Sequence, residues 1–155
     1  MMQYIIMNKI SEGSIEEENM IQLIYAKKGS GKTKRLIDLA NAELNVTKGD
    51  VVFIDDDKRY MYDVKHQIRF VDVKDYMIDS CDALYGLLCG MVAQNFDIEA
   101  VFIDAFLKII GKDETEIEEY IKKIDKLTEK NQFKAVIIIS ADPEQAPEYL
   151  KKYII

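Results

Sequence analysis

The sequence predicts an α/β protein, a three-layer α/β/α sandwich around a mainly parallel five-stranded sheet, and three observations carry that expectation. Five apolar runs of strand length recur along the 155 residues. Segments with helical spacing separate them, which favours parallel strands joined by crossover helices over a series of hairpins. The runs also end in acids, a serine or a glycine-bearing loop, as strands do when their carboxyl ends share one functional rim. A chain of this length forms one domain, here residues 20–155, and buries about two-thirds of its unfolded surface, so it needs no covalent staples.

The first element is the strand Ile21–Ala26, and it leads into the loop around which the chain is organised. Ala26-Lys27-Lys28-Gly29-Ser30-Gly31-Lys32-Thr33 fits the phosphate-cradle pattern G-x-x-x-x-G-K-[ST] with alanine at the first position. Gly29 and Gly31 let successive backbone N–H groups turn toward phosphate oxygens. The following helix, with Leu36, Ile37, Ala40 and Leu44 on one face, adds the positive end of its dipole. Lys32 is placed to reach the β/γ-phosphates and Thr33 to offer its hydroxyl to Mg²⁺. Lys27, Lys28, Lys34 and Arg35 add local basicity suited to a polyphosphate, although Lys27 and Lys28 also read as solvated side chains. The binding candidates are therefore Ala26 through Lys34.

Lys48-Gly49-Asp50 marks a turn, and VVFID is a second strand that runs into Asp55, Asp56 and Asp57. An excursion follows, then a third and peripheral strand, Ile68–Val73. His66, the only histidine, lies in a polar segment with nothing nearby to orient it and reads as a surface side chain. From about Ile78 to Gln94 a helix places Cys81, Leu84, Leu88, Met91 and Val92 on one face. Gly86 and Gly90, four apart, are expected to allow close packing on the sheet. Tyr60, Tyr62, Tyr76 and Tyr85 read as half-buried packing residues before they read as base-stacking ones.

Glu99–Asp104 is an apolar strand that ends in an acid, and after a phosphate cradle it makes Asp104 the leading candidate to hold the water shell of Mg²⁺. Asp113 with Glu116 predicts a capping box opening a helix that buries Ile117, Tyr120, Ile121, Ile124 and Leu127. Lys134–Ile139 is a buried strand. Ser140 or Asp142 at its end is either a γ-phosphate sensor or part of a capping turn, and Pro147 begins a short last helix.

A formal charge of −7 argues against a nucleic-acid surface, which needs clustered cations. No run reaches the length of a membrane span, and no signal peptide is visible. Cys81 and Cys89 fit no zinc spacing and read as core thiols in a reducing cytoplasm. Residues 1–19 are acidic after the first positions and are expected to be disordered or a non-native extension. Glu16-Glu17-Glu18-Asn19 before Met20 is what a purine-rich ribosome-binding sequence would encode.

Taken together these motifs resemble the RecA-like (ASCE) branch of the P-loop NTPases over about Met20 to Asp142. VVFIDDD resembles the FIDAE segment of RecA recombinases, with Asp57 at the position of the catalytic glutamate, and VFIDAF resembles their Walker B segment. The resemblance implies ATP and Mg²⁺ as cofactors, with Lys32, Asp57 and Ser140 as catalytic candidates and Thr33, Asp104 and Asp55 at the metal. Aspartate is one methylene shorter than glutamate, so Asp55 or Asp56 remains an alternative to Asp57. The DNA-binding loops of recombinases have no counterpart here. The core is also similar to type II thymidine kinases, without their acid pair or zinc cysteines. As a whole the chain resembles short bacterial proteins labelled as twitching-motility ATPases, although the histidine and aspartate boxes of retraction motors are missing.

Three functions follow as expectations. The first is a small ATPase that switches a protein partner not named by the sequence. The second is a kinase acting on a small, nucleoside-type hydroxyl substrate, and against it Arg35, Arg59 and Arg69 are too few for an arginine-rich lid. The third is a nucleotide-binding module without catalysis, which the lack of an acid directly after Asp104 keeps open.

Overall fold

The computed structural model describes residues 19–155. Five strands form one sheet: β1 (Ile21–Ala26), β2 (Asp50–Asp55), β3 (Arg69–Asp72), β4 (Ile98–Ile103) and β5 (Lys134–Ser140). Their order across the sheet is β1-β5-β4-β2-β3, and every pair is parallel. Parallel strands cannot be joined by tight turns, so each connection crosses a face, and the strands become buried on both sides. That is why β5 reads as the unbroken apolar run KAVIIIS.

Alternation along each strand divides the core in two. Ile21, Leu23 and Tyr25 of β1 face one cluster while Ile24 faces the other. On the second side lies α1 (Lys32–Glu43), which buries Leu36, Ile37 and Ala40. On the first side lie α2 (Cys81–Gln94), α3 (Phe106–Ile110) and α4 (Glu118–Asn131). In α4, Tyr120, Ile121, Ile124 and Leu127 are buried at the expected spacing. Helices therefore cover both faces of an all-parallel sheet.

The outer edge of β1 is covered by the chain's own end. Leu23 donates its N–H to Tyr153 O at 2.8 Å and accepts from Ile155 N–H at 3.0 Å, just past α5 (Glu148–Lys151). On the other side β3 pairs with β2 alone, which fits its expected peripheral place. Residues 1–18, on which the expectation of disorder or a non-native start falls, lie outside the described residues. Asn19 lies inside them and donates from Nδ2 to Lys152 O at 2.8 Å.

Four sequence expectations need correction. Gly86 and Gly90 do not pack on the sheet: both are exposed, and a Cβ at either would meet nothing within 4 Å. The helix has enough apolar residues on its buried side to seat itself through Leu84, Leu88 and Val92. Asp113 and Glu116 do bond reciprocally, with Glu116 Oε2 accepting from Asp113 N–H at 3.0 Å, but they close a turn ahead of the helix, which starts at Glu118. Capping chemistry is local and does not fix where the helical repeat begins. The short helix α3 went unread because five residues are too few to show a period. Finally, Tyr62 is 90% exposed and Tyr76 57%, so only Tyr60 and Tyr85 are half-buried.

Candidate functional site

The strand order contains a reversal. From β2 the chain moves outward to β3, whereas from β4 it moves back to β5. Neighbouring connections that part in opposite directions leave a crevice beyond the strand carboxyl ends, the usual place for a ligand in such sheets. Here that place is between Asp104 and Asp55. A cleft of about 1160 Å³ opens there, lined by the glycine loop, the start of α1, Asp55 to Asp57, Asp104 to Lys108, and Ser140.

The loop has the conformation that its glycines suggest. Gly29 and Gly31 have φ of 84° and 83°, in the left-handed region. A Cβ at either would meet nothing within 4 Å, so the backbone angle and not lack of room makes glycine necessary. Gly31 stands directly before α1 and no side chain caps that end, nor does any acid occupy its first turn. Its N–H groups thus keep their capacity for an anion. Lys32 is only 8% exposed. Its Nζ donates to Lys27 O at 2.8 Å and to Ser30 Oγ at 3.4 Å. Burial draws the ammonium below its ordinary pKa, and Asp104 partly opposes this.

Thr33 Oγ1 donates to Asp104 Oδ2 at 2.9 Å, which joins the start of α1 to the end of β4. The other Asp104 oxygen accepts from Ala105 N–H at 2.7 Å. Asp104 also donates its N–H to Ile54 O at 2.9 Å, so the carboxylate stands beside the end of β2. This is a hard oxygen pair of the kind a divalent cation takes.

The three acids after β2 behave differently. Asp55 is 3% exposed, and its Oδ1 accepts from Asp56 N–H at 2.7 Å. Burial, with Asp104 and Asp56 adding like charge, pushes its carboxyl up to about 8. At Asp56 burial also opposes the charged form, but the hydrogen bond from Lys108 and the contact with Asp55 outweigh it and hold that carboxyl below the ordinary range. Asp57 is more open, with Oδ1 accepting from Arg59 N–H at 2.9 Å and Oδ2 lying 3.9 Å from the Arg59 guanidinium. One oxygen from each acid lies within 4.8 Å of those of the others.

The remaining sequence candidates separate by position. Ser140, Lys28 and Lys34 line the cleft, while Lys34 also pairs with Asp38 at 3.0 Å. Ala26 sits in the sheet opposite Ser140. Lys27 is turned toward Asp142 at 3.8 Å, and Asp142 caps the next turn by accepting from Glu144 N–H. Asp142 is thus a turn residue, and Ser140 is the polar group at the cleft. His66 is exposed, as expected.

Sequence reasoning missed three residues that shape the site. Lys108 reaches Asp56, with Nζ 2.7 Å from Oδ2. Asn41 on α1 pins the excursion after β2, donating to Asp63 O at 3.0 Å and accepting from Lys65 N–H at 2.9 Å. Tyr60 lines the cleft beneath the Arg59 guanidinium, 5.9 Å from the ring centre. None has a spacing signal, because each acts across elements that only the fold brings together.

No family model matches this chain, and no curated protein matches it either. What the fold and the cleft define is an α/β protein with an all-parallel five-stranded sheet and a polar cleft at its carboxyl ends. Among the described residues no helix is long and apolar enough to cross a membrane.

Proposed function

We propose that this protein binds Mg·ATP in the manner of a RecA-like P-loop NTPase, and that it is a small ATPase whose turnover switches a protein partner in the cytoplasm. The observation that carries the reading is the contact of Thr33 Oγ1 with Asp104 Oδ2 beside a left-handed glycine loop and a buried lysine. Those groups supply what a triphosphate and its metal need: inward N–H donors, a cation, and two oxygens at a metal's distance from one another. Thr33 and Asp104 would hold Mg²⁺, with Asp55 as the next oxygen donor. A bound Mg²⁺ would offset charge on the phosphate oxygens. Lys32 would leave the Lys27 carbonyl for phosphate, and Ser140 would contact the terminal phosphate from the end of β5.

Asp57 is the candidate to orient the attacking water, because it lines the cleft and is the least buried of the three acids. Asp56 is engaged by Lys108 and Asp55 is drawn toward its neutral form, so both are poorer bases. A second reading, transfer to a small hydroxyl acceptor, draws on the cleft's extension past the loop to Asn41, Tyr60 and Asp63. The deciding experiment is titration calorimetry with Mg·ATP, followed by separate assays of phosphate release and of phosphoryl transfer to small-molecule pools. Binding with phosphate release supports the ATPase. Binding without either product supports a module that only senses nucleotide, and absence of binding refutes the reading.

A further inference from the structure

The cleft contains one cation to which the nucleotide reading gives no task. Lys108 stands on α3, which begins directly after Asp104 and Ala105. Ala105 adopts φ 54°, a left-handed conformation that a residue with a Cβ seldom takes, and such strain is kept where the surrounding structure demands it. The result is that Phe106, Leu107 and Lys108 all line the cleft. The Lys108 side chain is 72% exposed, yet its Nζ is held 2.7 Å from an Asp56 oxygen whose side chain is 9% exposed.

The other cations of the lining have partners or places of their own. Lys34 pairs with Asp38 within α1, Arg59 faces its neighbour Asp57, and Lys28 and Lys32 belong to the glycine loop. Among the described lining residues, Lys108 is the cation that projects from the β4–α3 wall. A terminal phosphate seated near Asp55, Asp56 and Asp57 would meet like charge, and a cation between them offsets that cost. An ammonium has three donors, so Lys108 can keep Asp56 and still serve an oxygen in the cleft.

We propose that Lys108 contacts the terminal phosphoryl group of a bound nucleoside triphosphate, and that Asp56 is the residue that positions it. This inference rests on the nucleotide reading above. In hydrolysis the water oxygen bonds to the γ-phosphorus as the bond to the bridging oxygen breaks, its electron pair leaving on ADP. The water proton passes to Asp57. Lys108 supplies charge to the non-bridging oxygens and transfers no proton.

The test compares wild type with Lys108→Met, Lys108→Arg and Asp56→Asn, titrated in Mg²⁺ with ADP, a non-hydrolysable ATP analogue, and ADP with aluminium fluoride. Lys108→Met should bind ADP within about twofold of wild type, the ATP analogue about tenfold more weakly, and the fluoride complex about 10²-fold more weakly. Arginine should restore most of the loss, and Asp56→Asn should fall between. The ADP measurement doubles as a check that each variant is folded. If Lys108→Met binds all three ligands like wild type, or loses all three equally, Lys108 is a tether between α3 and β2 and the proposal is overturned. A wild type that takes none of the ligands defeats the nucleotide reading itself, a result distinct from either.

Discussion

Thr33 and Asp104 meet at 2.9 Å although they stand 71 positions apart, one at the start of α1 and the other at the end of β4. Both are oxygen groups on rigid elements, so a metal between them would find its ligands already in place. Thr33→Ala and Asp104→Asn should each weaken the dependence of nucleotide affinity on Mg²⁺ by about tenfold, while affinity in EDTA changes little. Titrations with and without the metal check this. Wild-type Mg²⁺ dependence in both variants would move the metal to Asp55.

Lys32 is buried without a carboxylate within bonding distance and donates instead to the Lys27 carbonyl and Ser30 Oγ. Lys32→Ala should therefore spare the fold and cost Mg·ATP roughly 1.5–3 kcal/mol of binding for each charge-assisted bond lost. Calorimetric titration of both proteins measures the difference. Equal affinities would remove the phosphate-cradle reading.

Asp57 divides catalysis from passive binding. A carboxylate that orients water contributes to the transition state more than to the ground state, so Asp57→Asn should keep nucleotide affinity and lower turnover by roughly 10²- to 10⁴-fold. Asp57→Glu adds a methylene and should raise turnover if the shorter side chain limits the site. A residue that merely caps the turn through Arg59 N–H would show neither effect.

Asp55 makes stability depend on pH. Its carboxyl is raised from an ordinary 3.8 to about 8 in the folded chain, chiefly by burial. Between those values the unfolded state has lost the proton that the folded state keeps, so stability is lost as pH rises from about 4 to about 8. Asp55→Asn should flatten that part of the profile and gain at least about 1 kcal/mol near pH 8 relative to pH 5. Urea unfolding across this range, without nucleotide or metal, is the measurement, and an unchanged slope would count against the burial argument.

Gly86 and Gly90 lie on the exposed side of α2 with open space at their Cβ positions. Replacing either by alanine should stabilise the protein by about 0.5–1 kcal/mol, since glycine costs that much within a helix. A higher thermal midpoint in the double variant supports this. A loss would mean that something covers the face.

The sequence by itself determined the five strands, the parallel class of the sheet and the loop from Ala26 to Thr33. Each is written in neighbouring residues, as an apolar run, a helical spacing or a pair of glycines that the backbone requires at φ near 84°. It also placed Asp55 and Asp104 at strand ends, because an acid closing a buried strand is a local event. Tertiary structure decided which of these groups meet. The order β1-β5-β4-β2-β3 brings β4 beside β2, and that neighbourhood raises Asp55, pairs Asp56 with Lys108 and leaves Asp57 open. Three adjacent aspartates look alike in sequence; the backbone N–H, the ammonium and the depth of burial that each one meets come from different elements of the fold, and they set its charge.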